Sequence, residues 1–345
     1  LKKHTQIFVF VLAAGLLCSC SALFNPFGIG GGGDDRVIEY TTKFSLAVGG
    51  VAPGRDELVF FDDNNQVRDL SEHQIECIAD KDIVHFGPRP GNDTISAGSG
   101  VLIVPTEAGI ATASCFIDGT PVTDKYKVIV SPQNLIQILI SEAGTQLKDE
   151  ATTDDDVVKL GSESVTGNAI AAVIRNRINL IKSNGEPELF SVDAAEFDAN
   201  PSVSYYDAVI TAPGQFSPTN PLDSGYEIFN LAEDRKFLED DWHVAYDQAV
   251  LTAAGVYDED TADPTGGAFA FLSPTAEQWL SISAALASGT PDMPVDSGVL
   301  DDNFPAFSPV QILIVGGIWA YEDGRPAFVF IRHRNADEAA VTNQL

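Results

Sequence analysis

Between residues 37 and 131 apolar and polar positions alternate in short bursts, and clusters of Gly, Pro, Asn and Asp separate the bursts. The runs Phe44 to Val48, Leu58 to Phe61, Val101 to Val104, Ala111 to Ile117 and Lys125 to Val130 each have the length and turn-bounded composition of a strand. In the last run Tyr126, Val128 and Val130 share one face and Lys125, Lys127 and Ile129 the other, the period-two pattern of a strand with one side against a partner. An all-β unit is predicted.

At Ser131 the period lengthens to that of a helix. Ser131 is placed to cap a helix with Pro132 at its first position; Leu135, Ile136, Leu139 and Ile140 then form one apolar stripe, and Gly144 is placed to end it. A second helix is predicted over Thr166 to Lys182, with Ile170, Val173, Ile174, Ile178 and Ile181 facing a core. The acidic stretch between them, Lys148 to Asp156, reads as an exposed loop in which Glu150 and Asp155 are solvated. Trp242 to Ala254 predicts a third helix, and Gln311 to Ile331 a hairpin turning near Glu322 to Arg325.

The first residues have a different grammar. Lys2 and Lys3 precede an apolar run, Ile7 to Leu17, that has the order of an export signal and is too short to span a bilayer. It ends in Leu17-Cys18-Ser19-Cys20, the pattern of a bacterial lipobox, with Cys20 as the residue to be lipidated. From Asn25 to Asp35, a stretch containing Pro26, Gly28 and Gly30 to Gly33 offers little to a core and reads as a flexible tether. Removal of residues 1–19 takes away two lysines and no acid, moving the formal charge from −30 to −32. Ser21 after the cysteine fits sorting to the outer membrane. The expectation is an exported, lipid-anchored protein with its folded parts outside the cytoplasm.

Charge narrows the partners. Fifty acidic residues face 20 basic ones, so no basic surface is available to displace counterions from phosphates, and nucleic acid is excluded as a partner. The acidity suits a solvated surface; clusters such as Asp154 to Asp156 or Asp258 to Asp260 also offer oxygens to Ca²⁺, but neither has EF-hand spacing. No cofactor or metal is expected. Past Cys20 the chain has only Cys77 and Cys115, which an oxidising compartment favours as a disulfide, the alternative being two buried thiols.

Nucleophile and metal templates fail. Past residue 19 the histidines are His73, His85, His243 and His333, and the chain has no Gly-x-Ser-x-Gly elbow, zinc-protease helix or phosphate-binding loop. Carboxylate chemistry remains. Glu142 follows Ile138, Leu139 and Ile140 at the end of the first predicted helix, where desolvation and the helix terminus both favour its protonated form. Such a group suits a general acid; a solvated helix-end glutamate is the plainer alternative.

Four segments bear on that choice: Ile138 to Gly144 (ILISEAG), Gly167 to Ile178 (GNAIAAVIRNRI), Pro213 to Ser217 (PGQFS), and Asp263 to Trp279 (DPTGGAFAFLSPTAEQW). In this order they resemble the SleB/CwlJ family of peptidoglycan-cleaving cell-wall hydrolases. They are similar to its catalytic-Glu segment, its helix closing in Asn-Arg, its Pro-Gly-x-Phe turn and its glycine-rich stretch. Ser141 stands where the family has glycine. Thr145 and Gln146 follow Glu142 where the family has Arg, Gly and a second Glu, and Gly161 with Glu163 resume the pattern after the acidic insertion.

The resemblance implies an α+β fold: a lysozyme-like catalytic domain, here preceded by an all-β Ig-like sandwich. The strand spacing and the Gly109 to Ser114 and Tyr126 to Val130 ending resemble bacterial Ig-like modules, although no Trp lies between Cys77 and Cys115. The expected organisation is a signal peptide over 1–19, an anchor and tether over 20–36, the β-sandwich over 37–131, the hydrolase domain over 132–335 and a tail over 336–345. The implied activity is that of a lytic transglycosylase cutting peptidoglycan glycan strands, with Glu142 as general acid. Gln215, Ser217, Thr265 and Glu163, with the backbone at Gly266 and Gly267, are the expected polar contacts, and Phe216, Phe271 and Trp279 the apolar walls. The competing class is a non-catalytic lipoprotein that binds glycan or a protein partner.

Overall fold

Strand β6 (Gly109–Ile117) shows why the N-terminal part folds as sheets: Ala111, Ala113, Cys115 and Ile117 are buried and the residues between them are not. It pairs with β7 (Thr120–Ser131) through a two-residue turn, Asp118-Gly119, whose φ angles of 51° and 75° are those that a tight hairpin demands and that Asp-Gly supplies at little strain. With β1 (Thr42–Ala47) and β3 (Ile75–Ala79) these make a sheet of order β1-β7-β6-β3, in which β1 runs parallel to β7. A second, antiparallel sheet has the order β2-β5-β4, from β2 (Glu57–Val59), β4 (Val84–Gly87) and β5 (Gly100–Pro105). Val84, Val101 and Ile103 of the second sheet meet Tyr126, Val128 and Val130 of β7 in one apolar core, so the predicted inner face of β7 is the inner face. This is a computed structural model, and it describes residues 42–48, 57–59, 73–87, 100–151, 164–198, 204–287 and 310–333. The export signal, Cys20, the tether, Glu163 and Asp154 to Asp156 lie outside them.

Cys77 and Cys115 are directly opposed on β3 and β6 and form the expected disulfide. The bond ties neighbouring strands of one sheet, unlike the inter-sheet bond of antibody domains. It closes a separation of 38 residues, for which chain entropy in the unfolded state implies a stabilisation of about 2–4 kcal/mol. Replacing both cysteines by alanine is expected to lower the unfolding free energy from urea titration by that amount; an unchanged value would show that strand pairing alone sets the stability of the β unit.

The second part is built on α1 (Gln133–Ala151), α2 (Val165–Asn184) and α6 (His243–Tyr257), which pack on one another. The predicted stripes Leu135, Ile136, Leu139, Ile140 and Ile170, Val173, Ile174, Ile178, Ile181 are all buried in their common core. Shorter helices α3 (Ala194–Asp198), α4 (Ser204–Thr211), α5 (Tyr226–Leu231) and α7 (Ala276–Ala287) surround them. A small antiparallel sheet of order β8-β10-β9 closes the unit, from β8 (Ala270–Leu272), β9 (Val310–Leu313) and β10 (Val329–His333). The pairing of β9 with β10, with an inner bridge between Ala320 and Pro326, is the predicted hairpin. The fold is mixed α and β with several sheets. Among the described residues no helix is long and apolar enough to cross a membrane.

Three local expectations are corrected, that for Gly144 in part. Ser131 does not cap α1: it is the last residue of β7, paired with Ala47, and its buried hydroxyl has no partner among the described residues, while the carbonyl of Pro132 accepts the first helical bonds from Leu135 and Ile136. The first helical segment breaks at Ala143, immediately before Gly144, but a second segment continues α1 to Ala151. That extension carries Glu150 out of the supposed loop and onto the start of α2. There it accepts from Ser164 Oγ (2.6 Å), from the Thr166 amide (3.4 Å) and from the Thr166 hydroxyl. Ser164 in turn caps α2 by accepting from the Gly167 amide at 2.9 Å. Glu150→Ala strips this cluster of its acceptor and is expected to cost about 1–3 kcal/mol in thermal unfolding; a cost near zero would return Glu150 to the solvated class.

The two parts meet without a linker, since β7 runs directly into α1. Ala47 belongs to the helical core, and Ile129, on the outer face of β7, is 2% exposed. At the end of α6 Asp258 takes both Lys43 (3.3 Å) and Lys127, and Asp260 takes Lys43. Asp258 and Asp260 therefore answer lysines of β1 and β7, which offsets part of the negative charge that offered itself for Ca²⁺.

Candidate active site

Glu142 is the last helical residue before a break within α1. Ala143 leaves the helical conformation (φ −137°, ψ 22°), so α1 is two helical segments that meet immediately after Glu142. The local cause is legible: Ser141 turns its hydroxyl back onto the carbonyls of Gln137 (2.6 Å) and Ile138 (3.3 Å), competing with the helical ladder. Beyond the bend the ring of Trp242 lies so close to Gly144 that a Cβ there would stand 2.3 Å from the ring. Glycine at 144 is thus a requirement of close approach.

Glu142 is half-buried and has no hydrogen-bond partner among the described residues. Burial is the main cause that lifts its carboxyl from 4.5 to about 7; Asp223 adds to the rise and Arg177 opposes it. The desolvation expected from Ile138 to Ile140 is found, and Asp223 is a contributor that no local pattern in the sequence reveals.

Arg177 is the structural centre of the site. It is 3% exposed, donates from Nε to the carbonyl of Phe269 (2.6 Å) and from Nη1 to Gln215 Oε1 (3.1 Å), and stacks over Phe216 with its Cζ 4.6 Å from the ring centre. Burial pushes the guanidinium down to about 9, and Glu142 acts against that fall. Its neighbour Asn176 donates to Asp263 Oδ2 and to the carbonyl of Ala268, each at 2.9 Å. The Asn-Arg pair that closes GNAIAAVIRNRI therefore ties PGQFS to DPTGGAF, with Glu142 of ILISEAG close enough for its charge to act on Arg177. All four segments of the resemblance converge.

The individual expectations fare differently. Gln215 is half-buried and gives its carbonyl oxygen to Arg177, which leaves its amide N–H groups for another acceptor; Ser217 is exposed at the start of the turn Ser217–Thr219. Phe216 is 4% exposed and belongs to the core beneath Arg177, so it is not a wall open to a ligand. Thr265 is likewise corrected: it is 1% exposed, and its hydroxyl donates to Asp263 (2.6 Å) and accepts from the Ala268 amide (3.1 Å). Gly266 and Gly267 hold that turn with φ of 57° and 90°, and the Gly267 amide donates to Asp263. Phe271 is half-buried among Phe216, Phe328 and Phe330, and Trp279 is half-buried on α7 against the helical core.

Arg177, Asp223 and Trp242 were not singled out from the sequence. Arg177 does carry a signal: it lies on the apolar stripe of α2 beside Ile174, Ile178 and Ile181, where a cation needs partners. Asp223-Ser-Gly-Tyr is an Asx-turn pattern before a helix, which marks a turn but no chemistry. Trp242 has no local signal, because its role is set by Gly144. Comparison of the chain with protein-family models, with curated proteins and with solved structures returns no match.

Proposed function

We propose that this chain is a peptidoglycan-cleaving cell-wall hydrolase of the lytic transglycosylase type, with Glu142 as its general acid. The observation that supports it most is the state of Glu142: a half-buried carboxyl raised to about 7, beside a buried arginine that fastens together the segments resembling the SleB/CwlJ family. A group that keeps its proton near neutral pH in a partly dry site can give that proton to a leaving oxygen. Glu142 protonates the oxygen of the MurNAc to GlcNAc bond, and the C1–O bond breaks. The C6 hydroxyl of the same muramic residue closes on C1 to form the 1,6-anhydro ring, and its proton returns to Glu142. An internal hydroxyl makes an activated water unnecessary. Gln215, Ser217, Phe271 and Trp279 are the side chains proposed to meet the glycan. The β unit serves as an Ig-like spacer, and lipid on Cys20 anchors the exported protein to the outer membrane.

Incubation of the protein with purified peptidoglycan, followed by mass analysis of the soluble fragments, tests this reading. Anhydro-muramic ends, lighter by one water than reducing ends, are expected. Reducing ends would replace the transglycosylase by a hydrolase, and absence of any released fragment would overturn the enzymatic reading in favour of a binding lipoprotein.

A further inference from the structure

Helix α5 is laid along α1 by two side chains of the longer helix. Gln133 Nε2 donates to the carbonyl of Ala232 at 2.9 Å, and one turn later Gln137 Nε2 donates to the carbonyl of Phe229 at 2.8 Å. Moving forward along α1 therefore means moving backward along α5, so the two are antiparallel. One further turn of α1 reaches Ser141 and Glu142, and one further step along α5 reaches its start, at Gly225 and Asp223. The ladder alone thus brings the beginning of α5 to the level of Glu142. The charge of Asp223 acts on Glu142, in keeping with that placement.

Asp223 is held there by its own turn. Its Oδ1 accepts from the Gly225 amide at 2.7 Å, and its amide donates to the carbonyl of Asn220 at 2.9 Å. Oδ2 has no hydrogen-bond partner among the described residues. The stretch from Gln215 to Gly225 is a bracket: Gln215 is fixed on Arg177 at one end, the Ser217–Thr219 turn packs through Pro218 on Gly225, and Asp223 is presented at the other. Among the described residues two charges act on Glu142, the cation of Arg177 from α2 and the carboxylate of Asp223 from the start of α5. The buried carboxylate of α6, Asp247, is committed to Arg235, and Gly144 meets the uncharged ring of Trp242, the residue just before α6.

We propose that Asp223 is a second carboxylate of this site, which supplies fixed negative charge opposite the positive charge that develops on the sugar ring as the glycosidic bond breaks. It makes no bond to the substrate and moves no proton. It favours the protonated acid before the reaction and the sugar cation during it. The assignment rests on the glycosidase reading above, and it adds to a single-acid mechanism an electrostatic partner on a separate element.

Asp223→Asn tests it, because asparagine keeps an oxygen for the Gly225 amide and so keeps the turn. With the intact chain and soluble glycan fragments, kcat is expected to fall by about 10²–10³, the loss typical of one fixed electrostatic group, with KM little changed. The alkaline limb of the pH profile is expected to move to lower pH, since Glu142 loses the neighbour that helps it keep its proton. Asp223→Glu should recover part of kcat. A variant with wild-type kcat and an unmoved limb overturns the assignment while the glycosidase reading stands. A variant that loses kcat with the limb unmoved also overturns it, and makes Asp223 a holder of the loop. A wild-type protein that releases no fragment overturns the glycosidase reading, and the role of Asp223 with it.

Discussion

Glu142→Gln is expected to abolish peptidoglycan cleavage while leaving the fold and glycan binding in place. Glutamine keeps the size of the protonated acid and its capacity to donate a hydrogen bond, but it cannot release a proton. Only the step that needs acid suffers, by about 10²–10⁴ in kcat, and KM stays close to its original value. Fragment release followed by mass, with binding to insoluble peptidoglycan measured in parallel, separates the two effects. A Glu142→Gln protein that cuts at the wild-type rate would move the acid elsewhere, and Glu163, which the resemblance brings forward, would be the next carboxyl to test.

The same substitution should reveal the cost of holding an acid in this environment. A carboxyl raised from 4.5 to about 7 binds its proton more tightly folded than unfolded, so its contribution to stability is greatest below 4.5 and declines as pH rises to about 7. The difference between the two protonation states is on the order of 3 kcal/mol for a rise from 4.5 to about 7. Glu142→Gln carries no such term. It should therefore unfold at a higher temperature than wild type at pH 8 and show a much smaller gain at pH 4.5. Wild-type activity should fall as pH rises through about 7, because the reactive form is the protonated one.

Which features were legible depends on how far along the chain their causes lie. The strands of residues 109 to 130 and the stripes of α1 and α2 were readable because a period of two or of three to four residues is a local property, and burial follows it almost position by position. The burial of Glu142 was readable for the same reason, through the apolar residues just before it. Gly144 was legible only in part: the helical segment does break beside it, but a glycine after an apolar stripe looks the same whether or not it also admits a distant ring, and that is set by Trp242. Glu150 was misread because the hydroxyls that claim it, on Ser164 and Thr166, lie beyond an acidic stretch that hides the link. Phe216 and Thr265 fall in segments that resemble binding turns, yet their side chains are spent on holding those turns together. The four family-like segments therefore come together in space, while their sequence says less about which of their side chains face outward.

Arg177→Met is expected to be strongly destabilising and to move the pH profile opposite to Asp223→Asn. Methionine matches the apolar stem of arginine and can pack on Phe216, but it leaves the Phe269 carbonyl and the Gln215 amide oxygen without their donor, a loss of about 2–4 kcal/mol for two poorly solvated acceptors. Arg177→Lys should recover little, since one ammonium cannot span the two directions that Nε and Nη1 serve. The electrostatic consequence has a definite sign. Arg177 holds Glu142 down against burial and Asp223, so its removal lifts the carboxyl above about 7 and carries the alkaline limb of residual activity upward. Stability follows the same linkage: a folded-state value raised further above the unfolded one extends the loss of stability beyond pH 7, where the wild type has finished losing it. Urea unfolding of Arg177→Met at pH 5 and pH 8 should therefore show a larger deficit at pH 8. An equal deficit at both values, or a limb displaced downward, would show that Arg177 acts as a packing and hydrogen-bonding residue whose charge is not felt at Glu142.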